Sequence, residues 1–278
     1  MYKIFIGGGS GYVGSYLIKT LLKKKDFELY ATRNKNKIYG YTKKNVFVYK
    51  INLVKKKKVE EILRKIKPDL IINLAAYSNP KKNKLNPNKS FKYNFVINKN
   101  LVDYCKKFRK RFIFTSTHKV YGGNIKIPSE KADLKPIDLY GVNKLKCENY
   151  IRKNLKKYTI LRYGPVYNEK YSSNKHFINQ QVKNIKIKRR TYLSINTFRF
   201  FISIEKLCSI LEAVVKKNLY GTYNIGSYKN NYFNLIKSIC KINNIPASNL
   251  LLKSMINIKP EYITPLTKKF DLSIKKST

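Results

Sequence analysis

The segment KIFIGGGSGYVGSYLIKTLL, residues 3–22, decides the expected fold. An apolar run, Tyr2 to Ile6, predicts a buried strand, and residues 12–22 keep apolar side chains at helical spacing. The glycines between them fit a phosphate-binding fingerprint, which needs a tight turn, a close backbone approach and a close helix–strand contact. The N–H groups of a helix that begins there can hold a pyrophosphate. We therefore predict a dinucleotide-binding loop made of Gly8, Gly11, Tyr12, Val13 and Gly14.

Short β-rich runs alternate with helical runs through the first half of the chain. The expected strands cover residues 27–31, 46–49, 69–74, 111–115 and 158–162. The expected helices cover residues 59–66, 91–108 and 139–155. This alternation is typical of a parallel sheet with helices on both faces. It predicts an α/β fold, a Rossmann doubly wound parallel sheet.

The alternation weakens after Gly164-Pro165. Residues 167–190 are polar and basic, with weaker periodicity. Beyond them we expect a strand at 198–204, a helix at 205–215, a strand at 221–225 and a helix at 232–242. The predicted domains are an NAD(P)-binding domain, residues 1–164, and a smaller interleaved substrate-binding lobe, residues 165–278, with segments that return to the sheet.

The net charge is unusual. The 278 residues include 60 Lys and Arg against 15 Asp and Glu, for a formal charge of +45. Because lysines occur in nearly every segment, we interpret the charge as compositional and predict no nucleic-acid partner. Attraction to anionic substrates and nucleic-acid binding remain the alternatives.

Other classes are excluded by residue counts and spacing. The four cysteines lie far apart and there are only two histidines, so no metal site is expected. No apolar run approaches the roughly 18 residues of a membrane span, and the apolar N-terminal stretch is too short for a signal peptide. We predict a cytoplasmic protein without a membrane partner.

The end of the second expected strand indicates the type of dinucleotide. NAD sites usually place an Asp or Glu there, to accept from the ribose 2′-hydroxyl. Residues 31–35 are Ala-Thr-Arg-Asn-Lys, without an acid. Arg33 and Lys35 can instead bind a 2′-phosphate. The sequence therefore favours NADP over NAD.

Tyr140 and Lys144 lie one helical turn apart on the same face of an expected helix. A nearby ammonium favours the phenolate and lowers a tyrosine pKa from about 10, which suits acid–base catalysis. The spacing alone is weak, since Tyr104 and Lys107 form a near match. Residues 112–122, FIFTSTHKVYG, strengthen it, because a buried strand there ends in hydroxyl residues at the sheet edge where ligands bind.

Together these motifs make the chain resemble the extended short-chain dehydrogenase/reductase family of nucleotide-sugar epimerases, dehydratases and reductases. The resemblance runs nearly end to end. It rests on the glycine loop, residues 68–76 (PDLIINLAA), the Ser-Thr-x-x-Val-Tyr-Gly element, the run with Pro128, Glu130 and Pro136, and residues 161–165 (LRYGP).

The resemblance implies roles for individual residues. Thr117, Tyr140 and Lys144 would be the catalytic set, with Thr117 bonding the substrate oxygen. The implied cofactor contacts, besides the glycine loop and Arg33, are Asn52, Leu53, Leu74, Ala75, Ala76, Asn94, Tyr140, Lys144, Gly164 and Pro165. Asn52-Leu53 departs from the family's Asp-Leu but keeps an amide for the adenine. Arg199 would bind the nucleotide diphosphate of the substrate, and the alternative is that it is a surface residue of a strand. A homodimer is also implied.

The residues after Thr117 bear on the type of reaction. Sugar dehydratases of this family place Asp-Glu there, whereas this chain has His118-Lys119, so dehydration is not expected. His118 is interpreted either as a substrate-side acid or base or as a loop histidine bonded to backbone. Arg33 and residues 259–266, which resemble the closing stretch of dTDP-4-dehydrorhamnose reductases, favour NADPH-dependent reduction of a nucleotide-linked keto-sugar. The alternatives are a nucleotide-sugar epimerase and a non-catalytic NADP-sensing or RNA-binding relative.

Overall fold

The computed structural model describes residues 1–34, 45–122, 129–171, 176–226 and 228–253. Its strands are β1 (Tyr2–Gly7), β2 (Phe27–Arg33), β3 (Val46–Lys50), β4 (Leu70–Asn73), β5 (Arg111–Thr117), β6 (Tyr158–Tyr163), β7 (Val166–Tyr167), β8 (Thr191–Ser194), β9 (Phe198–Ser203), β10 (Gly221–Ile225), β11 (Tyr228–Asn231) and β12 (Leu250–Lys253). Its α-helices are α1 (Tyr12–Leu21), α2 (Lys56–Ile66), α3 (Pro80–Leu85), α4 (Pro87–Phe91), α5 (Ile97–Lys107), α6 (Leu139–Asn154), α7 (Phe177–Lys186), α8 (Ile204–Lys216) and α9 (Tyr232–Ile242). A π-helical turn covers Lys92–Val96 and a 3₁₀ turn covers His118–Tyr121.

A seven-stranded sheet in the order β10-β6-β5-β4-β1-β2-β3 forms the centre of the molecule. All of its strand pairs are parallel. The chain order reverses beside β1, which lies between β2 and β4. In such sheets the crevice outside the carboxyl ends of the strands at that point binds ligands. The predicted doubly wound α/β fold is confirmed.

The sheet is buried on both faces because successive side chains of a strand point to opposite sides. Ile4 and Ile6 pack into one apolar cluster with α1 and α8. Phe5, between them, packs into a second cluster with α2, α5 and α6. Ile4, Phe5 and Ile6 are all 0% exposed, so the loop that follows β1 starts from a strand end that is packed on both faces.

Beyond Pro165 the chain builds a smaller lobe and also returns to the central sheet. A three-stranded sheet, β11-β9-β7, and a pair, β12-β8, pack with α7 and α9 around a third apolar cluster. In contrast, β10 extends the central sheet beside β6, and α8 packs in the cluster that contains α1. The division into residues 1–164 and 165–278 remains our proposal for the domains.

Two regions differ from the elements predicted from sequence. The helix expected at 91–108 is divided by the π-helical turn, and helical structure before it begins at Pro87. Residues 167–190, where the periodicity is weaker and no element was predicted, contain α7. Its buried Ile178, Val182 and Ile185 do follow helical spacing, but the Asn and Lys residues around them obscure the pattern. The expectation for residues 259–266 lies outside the described residues.

Candidate active site

A cleft at the carboxyl edge of the sheet collects most of the predicted cofactor residues. Its lining comes from the loop after β1, the end of β2, the segment after β3, the segment after β4 and the helix start at α5. The lining residues are Gly8, Ser10, Gly11, Thr32, Arg33, Asn34, Ile51, Asn52, Leu53, Leu74, Ala75, Ala76, Tyr93 and Ile97. No carboxylate is among these described residues, and Arg33 contributes the cationic group.

The glycine loop forms a cradle that a side chain would fill. A Cβ on Gly8 would lie 2.7 Å from the backbone nitrogen of Ala75, and the φ of Gly8 is +84°. A Cβ on Gly14 would lie 2.4 Å from the carbonyl oxygen of Gly8. Only glycine fits these two positions without movement of backbone. The described residues thus leave room for a pyrophosphate at the N-terminus of α1, and they fit a dinucleotide.

The end of β2 is held against this loop by one hydrogen bond. The backbone N–H of Gly8 donates to Oγ1 of Thr32 at 2.9 Å. Thr32 therefore places Arg33 and Asn34 beside the cleft that the glycine loop opens. Lys35, the second predicted phosphate ligand, lies outside the described residues, as does Pro128.

Other predicted cofactor residues lie outside the cleft lining. Tyr12 and Val13 begin α1, and the Tyr12 ring stacks on His176 with the ring centroids 4.3 Å apart. Gly164 and Pro165 connect β6 to β7. The Asn94 side chain accepts from the backbone N–H of Tyr77 at 2.8 Å and donates to Asn83 and Ser90. Asn94 thereby supports the segment after β4 from within a π-helical turn, a distortion often found at functional sites.

The elements that carry the predicted catalytic residues, β5 and α6, pack against each other. Thr117 is the last residue of β5 and is buried, whereas Tyr140 lies in the first turn of α6. Asp138 caps that helix, because its Oδ1 accepts from the N–H of Gly141 at 2.7 Å. Its other oxygen forms an ion pair with Lys119, two residues after Thr117. The cap therefore ties the start of α6 to the turn that follows Thr117.

Lys144 is 2% exposed and bonded to β5. Its Nζ donates to the carbonyl oxygen of Thr115 at 2.6 Å and lies 5.7 Å from the centroid of the Tyr140 ring. Burial lowers the pKa of Lys144 to about 8, and Cys147 and Glu148 counteract this effect. The ammonium is thus close to its titration range at neutral pH.

Tyr140 differs from the sequence-based expectation. We expected Lys144 to lower its pKa, but the pKa of Tyr140 is raised. Burial is the main cause, and Tyr163 and Asp138 add to it. Because desolvation penalises the phenolate more than the nearby ammonium favours it, Tyr140 keeps its proton in the absence of a ligand.

His118 and Arg199, the two predicted substrate residues beside Thr117, lie near each other. Burial, the main cause, and the positive charge of Arg199 together lower the pKa of His118 to about 3. His118 Nδ1 lies 3.3 Å from the carbonyl oxygen of Tyr163. His118 is therefore neutral at pH 7 and lies at hydrogen-bond distance from backbone, whereas a role as acid or base on the substrate stays a prediction. Arg199 lies on β9, where its Nη1 donates to the Phe198 carbonyl oxygen at 2.8 Å.

Several residues that shape the site were not predicted from the sequence. Thr32 and Tyr93 line the cleft, and Asp138 caps α6. Asp138 was detectable, since an Asp directly before an expected helix is a common N-cap. Thr32 and Tyr93 could not be recognised from the sequence, because their position in the cleft depends on how β2 and the π-helical turn pack beside the glycine loop.

Two further findings concern the described part of the chain only. No cluster of three or more His, Cys, Asp or Glu side chains with a metal-binding arrangement occurs there. Nor does any helix within these ranges combine the length and apolar character needed to cross a membrane.

Comparison with known proteins identifies the family. Residues 4–226 match the NAD dependent epimerase/dehydratase family, so the chain belongs to it. A dTDP-D-glucose 4,6-dehydratase from Dictyostelium discoideum is 27% identical over 254 residues, which cover 81% of this chain and 58% of that protein. The chain therefore spans little more than half the length of this relative, and smaller shares of others, such as 28% of UDP-glucuronic acid decarboxylase 2 from Arabidopsis thaliana.

Two solved structures show the same fold. UDP-glucose 4-epimerase from Thermotoga maritima superposes with a TM-score of 0.83 at 21% identity, covering 96% of this chain and 90% of the epimerase. A dTDP-4-dehydrorhamnose reductase from Bacillus anthracis, in complex with NADP, superposes with a TM-score of 0.81 at 19% identity, covering 98% and 92%. The resemblance to the extended short-chain dehydrogenase/reductase family is confirmed.

Proposed function

We propose that this chain is an NADP-dependent reductase of a nucleotide-linked keto-sugar. The observation that carries the proposal is the cleft beside the glycine loop, whose ribose end holds Arg33 and no carboxylate among its described lining residues. A guanidinium there matches the 2′-phosphate of NADP, whereas NAD sites usually place an acid at the end of β2. Among structurally similar proteins some bind NADP and others bind NAD, so the assignment rests on Arg33.

The cofactor would lie along the sheet edge, as the sequence predicted. The glycine loop, with the first turn of α1 at Tyr12 and Val13, would hold the pyrophosphate, and Asn52-Leu53 would lie at the adenine. The segment Leu74–Ala76, which Asn94 supports, would pack on the ribose side, and Gly164-Pro165 would lie at the nicotinamide. When bound, NADPH supplies the hydride that reduces the sugar carbonyl carbon.

The remaining groups handle the oxygen of that carbonyl. Thr117 orients it by a hydrogen bond, and Tyr140 donates its proton to it as the carbon is reduced to an alcohol. The raised pKa of Tyr140 suits this direction, because a reductase needs the phenol protonated at the start. Lys144 holds the nicotinamide ribose from its place beside Thr115. Arg199 binds the nucleotide diphosphate of the substrate and lies close to His118.

Dehydration is disfavoured although a relative is a 4,6-dehydratase. Water elimination needs an acid and a base beside the sugar, and His118 and Lys119 occupy the positions after Thr117. The pKa of His118 is lowered to about 3, and Lys119 is paired with Asp138. Epimerisation is the second candidate, because the fold also superposes closely on a UDP-glucose 4-epimerase.

Incubation with NADPH and a panel of nucleotide 4-keto sugars tests the proposal. The expected result is consumption of one NADPH for each alcohol formed, followed at the absorbance of the reduced nicotinamide. Interconversion of a UDP-sugar pair with no net change in cofactor would replace the reductase by the epimerase. Turnover with neither set of substrates would overturn both.

The proposal includes the setting of the enzyme: a cytoplasmic homodimer with a nucleotide-sugar substrate and no nucleic-acid partner. The alternative, suggested by the charge of +45, is a protein of the same fold that binds RNA or DNA. Multi-phosphate contacts would make nucleic-acid affinity fall steeply between low and physiological salt. Retention of RNA at physiological salt, with that steep dependence, would contradict the exclusion of nucleic acid.

A further inference from the structure

A buried ion pair lies directly behind the candidate catalytic residues. Glu148 is one helical turn after Lys144 on α6, hence on the same face as Lys144 and Tyr140. Its side chain is 0% exposed, and that of Arg162 on β6 is 1% exposed. Arg162 donates two hydrogen bonds to the Glu148 carboxylate, from Nε to Oε1 at 3.0 Å and from Nη2 to Oε2 at 2.6 Å. Both charges are removed from water, and the Glu148 carboxylate also accepts from Nη2 of the partly exposed Arg152 at 2.5 Å.

The carboxylate also binds the strand that carries Thr117. Ser116 Oγ donates to Glu148 Oε1 at 2.5 Å. Ser116 lies between Thr115, whose carbonyl oxygen accepts from Lys144, and Thr117. A displacement of the Glu148 carboxylate therefore acts on the lysine anchor and on the candidate substrate-binding hydroxyl together.

Arg162 extends the same network to the far edge of the sheet. Its Nη1 donates to the Tyr121 hydroxyl at 2.6 Å, and that hydroxyl donates to Asn224 Oδ1 at 2.6 Å. Nη1 also donates to the carbonyl oxygen of Glu130 at 3.2 Å. Tyr121 ends the 3₁₀ turn that follows Thr117. The network thus links β5, the turn after it, α6, β6 and β10.

A buried ion pair is an inefficient way to stabilise a fold, since well-packed apolar residues of similar volume do as well or better. A bidentate Arg–carboxylate contact instead fixes an orientation. We propose that Glu148 and Arg162 are positioning residues, which set the place of Thr117 relative to Lys144 without touching substrate or cofactor. The kinetic consequence of this proposal rests on the proposed function, but the positional consequence does not.

Crystal structures of ligand-free variants test the positional claim. Arg162→Lys keeps the charge but removes the planar fork, and Glu148→Gln keeps an acceptor for Ser116 but removes the charge. The double variant Glu148→Gln/Arg162→Gln leaves no unpaired buried charge, so it can fold where a single variant does not. We expect loss of the Lys144–Thr115 hydrogen bond or a shift of Thr117 by about 1 Å, a displacement large enough to reduce turnover about 100-fold.

The matched control is Glu60→Gln, which removes an exposed ion pair between Glu60 and Arg64 on α2. If the variants keep Lys144 and Thr117 in place, the positioning role is overturned, whether or not the wild-type chain binds NADPH. Failure of the wild-type chain to bind NADPH or NADP would overturn the proposed function alone.

Once a substrate is known, steady-state kinetics distinguish a loss of positioning from a loss of folded protein. In the folded variants we expect kcat to fall about 100-fold with a much smaller rise in the Kd for NADPH, because only the Lys144 contact with the cofactor is displaced while the glycine loop and Arg33 stay in place. A loss of activity that matches only the unfolded fraction would contradict the proposal.

Discussion

Lys144 Nζ donates a 2.6 Å hydrogen bond to the carbonyl oxygen of Thr115, so the ammonium on α6 is tied to the strand end that carries Thr117. The contact places a charge in an environment that is 2% exposed. The Tyr–Lys spacing is common by chance in this chain, and it is this hydrogen bond that gives the Lys144 side chain a defined position. The partner atom belongs to the backbone, which no side-chain pattern in the sequence records.

The buried ammonium should appear in the pH dependence of stability. Its pKa is about 8 in the folded chain, against about 10.4 for an unperturbed lysine. Between these values the unfolded chain binds more protons, so the contribution of this group to stability rises with pH through that window and is lost as pH falls through about 8. Urea unfolding measures the free energy of unfolding of wild type and of Lys144→Met. The value for wild type should rise relative to that for Lys144→Met between about pH 7 and about pH 10. Lys146→Met, at an exposed position of α6, is the control, and a pH-independent difference for Lys144→Met would contradict the assignment.

Tyr140→Phe should leave the fold and the cofactor cleft intact and remove the proton donor. We expect kcat to fall by about 10²–10⁴, the usual contribution of general acid catalysis, with a much smaller change in the Kd for NADPH, because Tyr140 is only one of many expected cofactor contacts. Tyr104→Phe is the matched control, because Tyr104 forms the chance near match with Lys107 and its hydroxyl donates to the Leu63 carbonyl oxygen at 2.8 Å. Full activity of Tyr140→Phe would refute the mechanism.

Arg33→Glu should reverse the preference between the two dinucleotides. Loss of a charge-assisted hydrogen bond removes about 1.5–3 kcal/mol, so the affinity ratio of NADPH to NADH should fall at least about tenfold. Fluorescence titration with both cofactors measures the ratio. Lys50→Gln, at the residue paired with Arg33 on β3, serves as the control. An unchanged ratio in Arg33→Glu would mean that Arg33 does not contact the 2′-phosphate.

Gly141→Ala should separate α6 from the turn that follows Thr117. The new Cβ would lie 2.7 Å from the carbonyl oxygen of Lys119 and 3.0 Å from Cβ of Pro136. A backbone oxygen does not move aside easily, so we expect a loss of about 1–3 kcal/mol in stability together with reduced turnover. Thermal unfolding and activity are measured beside Asn149→Ala, an exposed position of α6. Wild-type stability and activity in Gly141→Ala would show that this close approach is not required.

Local patterns predicted much of the fold and part of the site. The strand, glycine loop and helix at the start of the chain are encoded within a short segment, since only glycine suits Gly8 and Gly14 and apolar spacing defines the flanking elements. The same holds for β10 and α9, whose bounds match the prediction at both ends. Tyr140 and Lys144 were found because one helical turn brings them to one face.

The tertiary structure decided what depends on residues far apart in the chain. Glu148 and Arg162 are ordinary charged residues in the sequence, and only the packing of α6 on β6 makes them a buried pair. The raised pKa of Tyr140 follows from desolvation, which spacing does not contain. The sequence by itself therefore determined the sheet and the phosphate loop, because short-range sterics and periodicity specify them. The protonation states of Tyr140 and Lys144 depend on the exclusion of water by distant segments of the chain. The positions of Thr117, Tyr140 and Lys144 relative to one another depend on the packing of α6 against β5.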